Sequence, residues 1–287
     1  MTTVLNIIIT GLIMGGIYAL ISMGLSLQYG VAKILNVSHG EFIMIAAMLT
    51  WVFVNRGIHP LLALVLCCPL TFIIGFLLHI TIFRWLNINS GTAAAYESNA
   101  MLLCFGLYFI FSNIAMQIWG SNPVGYQFLN RSVAFAGTVT AINKIVVLII
   151  AVAVSILFYL FLTYSRLGKS IRAASQDPVA AGMLGMNIKM IMAICFGIGA
   201  MLAGIAGTLI SMYSQVDTGM GMGYTMIALI VVVLGGMGSI PGSMIGGLIL
   251  GFVGSIFGYI EPSLSMVAYY LIILVLLLVK PKGLMGR

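Results

Sequence analysis

Residues 145–162 read Ile-Val-Val-Leu-Ile-Ile-Ala-Val-Ala-Val-Ser-Ile-Leu-Phe-Tyr-Leu-Phe-Leu, with Lys144 on one side and Arg166 on the other. A run this long without a charge is the signature of a helix that crosses a bilayer, because lipid offers the backbone no partner outside its own segment. The run is not alone. Working outward in both directions, apolar stretches lie at 4–29, 39–54, 60–83, 99–120, 143–165, 189–213, 222–238, 241–260 and 266–280. The fold is therefore expected to be all-α: one transmembrane domain over residues 1–287, a helical bundle of about eight to ten spans. The stretches 39–54 and 222–238 are short for a full crossing, so interrupted or re-entrant segments are expected among the spans.

Composition agrees. The chain is 62% hydrophobic and 6% charged, against roughly 25% charged residues in soluble domains. Its net charge of +7 comes from single Lys and Arg residues at the ends of apolar runs. Basic residues placed this way orient helices in a membrane, and they lack the clustering that nucleic acid requires. Arg166, Lys169, Arg172 and Lys189 in one connection, and Lys280, Lys282 and Arg287 at the C-terminus, put both segments on the cytoplasmic side. Four runs separate them, an even number, so the two assignments agree. Residues 121–142 then face outward, where Tyr126, Phe128 and Arg131 are candidates for contact with an outer partner. The N-terminus lies outside if all nine runs cross, and with no charge before Lys33 it reads as a retained first span. Cys67, Cys68, Cys104 and Cys195 sit inside apolar runs without ligand spacing, so neither disulfides nor a metal site are expected. No connection is long enough to fold as a catalytic domain, and no catalytic or cofactor-binding residues are expected.

Two interruptions carry the functional reading. Asn36-Val-Ser38-His39-Gly40-Glu41 has Ser38 and Glu41 at capping-box spacing ahead of a short run. This is either a helix start at the surface or a break within the membrane. Asn, His and Glu together exceed what a cap needs, and ionisable groups at depth usually face a pathway. The second stretch, Gly235-Gly-Met-Gly238-Ser239-Ile-Pro241-Gly, is either a tight turn or a second broken segment. Paired interruptions, one in each half, point to a transporter's central site. Asn36, His39, Glu41, Gly238 and Ser239 are thus the candidates for a translocation path. From Gly238 to Gly258 a ladder of glycines at steps of three to five marks a face for close helix packing, and Gly11 and Gly15 repeat the spacing on the first run. Between Arg166 and Lys189, Asp177 is a helix N-cap, Pro178 a first-turn residue and Gly185 a stop. The helix between them is too short to stand alone, and Val179, Met183 and Leu184 need something to dock against.

Residues 179–185 resemble the cytoplasmic coupling motif of ABC importer permeases, Glu-Ala-Ala-x-x-x-Gly, with Ala180, Ala181 and Gly185 in place and Val179 where the Glu stands. Tyr29-Gly30, Asn36-x-x-His39-Gly40-Glu41, Arg166-Leu-Gly-Lys-Ser-Ile-Arg-Ala, Leu234-Gly-Gly-Met-Gly-Ser-Ile-Pro-Gly and Lys280-Pro-Lys-Gly-Leu-Met-Gly-Arg are together similar to the H-type permease of branched-chain amino-acid ABC importers, essentially end to end. The resemblance implies a permease subunit in the bacterial cytoplasmic membrane. It also implies a second homologous permease, two cytoplasmic ATP-binding subunits and an extracytoplasmic substrate-binding protein as partners, and no nucleic acid. The segment 166–188 becomes the coupling loop, in which Asp177, Pro178, Val179, Ala180, Ala181, Met183, Leu184 and Gly185 meet the ATPase. Relatives in this family also carry urea, short amides and other amino acids. The alternative from a different class, a secondary transporter, needs its own intramembrane coupling relay, for which the chain offers few ionisable groups: Glu41, His39, His79, Asp217 and Glu261.

Overall fold

A chain this apolar has few solutions in lipid, and it takes the helical one. The computed structural model describes residues 2–135, 138–281 and 283–286; Lys282 and Arg287, used above for orientation, lie outside the described residues. The helices are α1 (Thr2–Ala32), α2 (His39–Asn55), α3 (Pro60–Leu78), α4 (Arg84–Asn89), α5 (Ala93–Trp119), α6 (Ile142–Tyr164), α7 (Arg166–Gln176), α8 (Pro178–Met183), α9 (Ile188–Ser211), α10 (Met220–Gly235), α11 (Ile240–Ile260) and α12 (Leu264–Val279). Six of the helical stretches are long and apolar enough to cross a membrane, and α2, α10 and α12 are shorter apolar helices. A π-helical turn, His79–Phe83, joins α3 to α4. Residues 121–142, read from sequence as a plain connection, also contain a small antiparallel hairpin of β1 (Ser132–Phe135) and β2 (Thr138–Ala141).

The glycine ladder explains the central packing. α1 and α11 run antiparallel in contact along their length: Gly11 lies against Phe252, Gly15 against Gly251 and Leu248, and Gly247 against Ala19. Ser255 Oγ donates to the Ile7 carbonyl at 2.7 Å, and Ser22 Oγ to the Ser243 carbonyl at 3.2 Å, which fixes the register at both ends. Small residues let the two backbones approach closely, and in lipid this packing replaces a hydrophobic driving force. A side chain at Gly251 would run into the Gly15 backbone and the Gly11 carbonyl. Gly251→Leu is therefore expected to cost about 3 kcal/mol, the upper end for overpacking, since backbone cannot step aside as a side chain can. The measurement is the yield of monodisperse protein after detergent extraction, and a wild-type yield would show that the helices can separate at no cost.

On the other side of α1 lies α9, buried along almost its whole length and flanked by α2 and α3. The outer faces of α3, α5, α6 and α12 present Leu, Ile, Val and Phe to the surroundings. Following the chain back and forth, Lys33, Arg84, Arg166, Lys169, Arg172, Lys189 and Lys280 collect at one end of the bundle, and Arg56, Arg131 and Lys144 at the other. The first is called the basic end below.

Candidate functional site

α1 stops at Ala32 and α2 begins at His39, but α2 does not begin at the basic end. The connection 33–38 turns back alongside α1, and Lys33 takes φ 55° to start the reversal. Asn36 Nδ2 donates to Gln28 Oε1 at 3.2 Å, and Gln28 Nε2 donates to the Phe196 carbonyl of α9 at 3.0 Å. His39 Nε2 lies 3.1 Å from the Ile21 carbonyl. Since a carbonyl only accepts, Nε2 carries the proton and Nδ1 is left as an acceptor, without a partner among the described residues. Ile21 is eleven residues before Ala32, about 16 Å of helix. α2 therefore starts alongside the middle of α1 and not beyond its end.

The capping box expected from Ser38 and Glu41 does not form. Ser38 makes no side-chain cap; its Oγ donates to Asn36 Oδ1 at 2.7 Å, and its backbone N–H donates to the same oxygen at 3.1 Å. Asn36 thus closes an Asx-turn that starts the helix, and the Glu41 side chain is free to go elsewhere. It reaches the first turn of α10, where its Oε1 occupies the space a side chain on Gly221 would fill. Glu41 is 1% exposed, and its Oε2 has no hydrogen-bond partner among the described residues. The amino end of a helix favours a carboxylate. Next to it the Gly40 N–H donates to Thr225 Oγ1 at 2.8 Å, and Gly40 packs on the Gly221 carbonyl. α10 has 16 residues, about 24 Å against a hydrocarbon layer of about 30 Å. Two short helices thus meet amino end to amino end.

Asn36, His39 and Glu41 come together in this constellation, all buried. Gly238 and Ser239 do not join them. They belong to the turn 236–239 at the basic end, with Gly236 at φ 100° and Gly238 at φ 81°, conformations that favour glycine. Ser239 caps α11, its Oγ accepting from the Gly242 N–H at 3.2 Å. The turn is covered by the C-terminal segment: Leu284 N–H donates to the Leu234 carbonyl at 2.9 Å, and Met285 N–H to the Gly235 carbonyl at 3.0 Å. The segment that reaches 36–41 from the second half is instead the start of α10, with Gly221 and Thr225. It was marked in the sequence by Thr218-Gly-Met-Gly-Met-Gly, a glycine alternation ahead of a short run. Gln28 was equally visible as an isolated amide inside an uncharged run.

The helix expected at 178–185 forms as α8. Asp177 Oδ1 accepts from the Val179 and Ala180 N–H groups at 2.9 and 3.0 Å. Gly185 at φ 83° ends it, its N–H donating to the Gly182 carbonyl at 3.0 Å while Met186 N–H reaches the Ala181 carbonyl at 3.2 Å. This pair of bonds is the Schellman stop. Ala181 is buried against the chain, whereas Val179, Met183 and Leu184 are 70%, 79% and 79% exposed. At the opposite end, Tyr126 and Phe128 turn inward. Tyr126 Oη lies 3.0 Å from Ser211 Oγ, burial pushing its hydroxyl up to about 12, and Phe128 packs on His59 at 5.5 Å. Arg131 is exposed.

The sequence model of the family described as branched-chain amino acid transport system / permease component matches residues 7–279. The chain is 29% identical to the high-affinity branched-chain amino acid transport system permease protein LivH of Escherichia coli K12, over 96% of this chain and 94% of that one. It is 32% identical to the corresponding BraD protein of Pseudomonas aeruginosa, over 98% and 95%. A probable LivH of Methanocaldococcus jannaschii is 22% identical over 96% and 90%.

Proposed function

From a chain that belongs to the branched-chain amino acid transport system permease family, we propose the membrane-spanning permease subunit of an ATP-driven importer for branched-chain amino acids, multi-pass in the cytoplasmic membrane with its basic end inside. The 1–287 chain acts as one permease domain and carries no catalysis of its own. Two ATP-binding subunits, a second homologous permease and an extracytoplasmic binding protein complete the machine. Membership in this family does not favour the secondary-transporter alternative.

The observation that carries the reading is α8. A six-residue helix, stopped at both ends by its own sequence and presenting three apolar side chains to solvent, is built for a partner. It sits at the basic end between α7, which follows α6 directly, and α9, which runs through the centre of the bundle. A push on α8 therefore reaches α9 through the short turn 184–187, and α2, which packs on both α9 and α10, stands next in line. Asn36, His39 and Glu41 lie beside the path in this reading, and relative movement of α2 and α10 opens it.

The test is reconstitution of the four-subunit membrane complex in vesicles with a binding protein outside and ATP inside. Labelled leucine should accumulate only with ATP. Glu41→Gln keeps the shape of the side chain and removes its charge. It is expected to lower uptake by about tenfold or more while the complex still assembles. Should Glu41→Gln reduce only the amount of folded complex, with normal turnover per complex, Glu41 serves packing alone.

A further inference from the structure

A cavity of about 670 Å³ opens at the basic end between α1, α6, α7 and the turn before α11. It takes in two features the coupling role does not use: Arg172 of the basic motif, and Gly238 and Ser239. Its lining includes no acidic residue. Arg172 enters from α7, one Nη2–H held by the Thr163 carbonyl at 3.0 Å. The rest of its guanidinium is available, and a planar fork of donors suits a carboxylate. Facing it is the amino end of the 21-residue helix α11, where Ile240 N–H and the turn amides of Met237 and Gly238 have no backbone acceptor among the described residues. Between them Ser26 lines the cavity, 0% exposed, and its Oγ has no partner among the described residues. A buried hydroxyl left unpaired costs stability unless something visits it. Leu27, Val31, Leu162 and Ile171 supply an apolar stretch of the wall, beside the polar Thr163, Ser175 and Gln176.

We propose that this cavity is an inner binding site for a free amino acid, with the α-carboxylate held by Arg172, Ser26 Oγ and the amino end of α11, and the aliphatic side chain against Leu27, Val31, Leu162 and Ile171. The proposal rests on the importer reading and deepens it: solute released inward rests here, beside α7, before it leaves. A carboxylate at a helix amino end opposite a guanidinium meets complementary charge on both sides. The apolar wall then selects a short aliphatic side chain.

The experiment uses the complete membrane complex in phosphatidylcholine nanodiscs, without binding protein or ATP. Binding of labelled L-leucine is competed with unlabelled L-leucine and with leucinamide, which lacks the carboxylate. L-leucine should compete about tenfold better than leucinamide, and Arg172→Gln should abolish that difference. Since Arg172 also ties α7 to α6, Ser26→Ala is the second arm. Loss of an unpaired hydroxyl leaves the fold neutral or more stable, yet should weaken L-leucine binding about threefold. Equal competition by the two compounds, or unchanged binding in both variants, overturns the proposal. So does loss of leucine binding on adding phosphatidylglycerol that copurifies with wild type and not with Arg172→Gln, because the site would then hold a lipid phosphate. Leucine-stimulated ATP hydrolysis by the same wild-type complex, once binding protein and ATP are added, separates the two readings: if it is absent the importer reading fails, and if it is normal only the inner site does.

Discussion

Gly185→Trp is expected to abolish transport and binding-protein-stimulated ATP hydrolysis, a loss of about 100-fold or more, in a permease that still inserts and assembles with its membrane partner. Within the chain the change is mild. A Cβ at Gly185 meets nothing within 4 Å, and the cost of holding φ 83° with any side chain that carries a Cβ is about 1–2 kcal/mol. That strain falls on a surface turn remote from the packed core. The bulk instead projects from the end of α8, beside Met183 and Leu184, where an ATPase groove would close on it. Gly185→Asn provides the control, since Asn adopts the same backbone conformation readily and adds little volume. Asn should retain most transport where Trp retains none. Equal loss in both variants would place the effect in the backbone turn. Normal hydrolysis with Trp would move the coupling surface away from α8.

Gly40→Val should be nearly as damaging for a different reason. The amino ends of α2 and α10 touch backbone to backbone, with Gly40 against the Gly221 carbonyl and Thr225 Oγ1, and the same pattern recurs where Gly207 meets the Ile43 carbonyl and Gly24 the Gly199 carbonyl. A side chain at Gly40 forces α2 and α10 apart and breaks the 2.8 Å bond from its N–H to Thr225. Overpacking costs about 1–3 kcal/mol, and backbone that cannot step aside puts this site at the upper end, so Gly40→Val is expected to leave little folded protein and Gly40→Ala a reduced amount. The comparison is Gly223→Ala on the facing helix α10, where a Cβ meets nothing within 4 Å and the effect should stay within about 0.5 kcal/mol. Thermal stability of the detergent-purified permease distinguishes them. Matching melting points for Gly40→Ala and Gly223→Ala would mean that α2 and α10 are free to part in the resting state.

The nine apolar runs were legible because in lipid each segment must satisfy its own backbone, so hydropathy and helix coincide. The bounds of α6 and α9 needed no tertiary information. α8 was legible for a related reason: Asp177, Pro178 and Gly185 act within one or two turns of themselves. What required the third dimension was depth and pairing. Ser38 and Glu41 have the spacing of a local cap, yet Asn36 takes the capping role and Glu41 reaches a helix 180 residues away, at Gly221. The sequence pattern pairs 36–41 with 235–242, the most glycine-rich break. The structure pairs it with Gly221 and Thr225 at the start of α10, because α10 runs from there toward the basic end and only its last residues lead into the turn 236–239. The hairpin of β1 and β2 gave no signal above its polar surroundings, and the π-turn at His79–Phe83 interrupts a run that reads as uniformly apolar.

The antiparallel contact of α1 with α11 also orders events during biosynthesis. The Ser255–Ile7 bond joins residues 248 positions apart, so the face of α1 that packs on α11 cannot be matched until all the helices between them have followed. That glycine face, with Gly11 and Gly15, stays against lipid through the insertion of α2 to α10, although small residues gain little from acyl chains. Late closure of so long a loop is slow. A chain halted before α11 therefore displays an unsatisfied helix face at its very beginning, a mark by which an incomplete permease differs from a finished one.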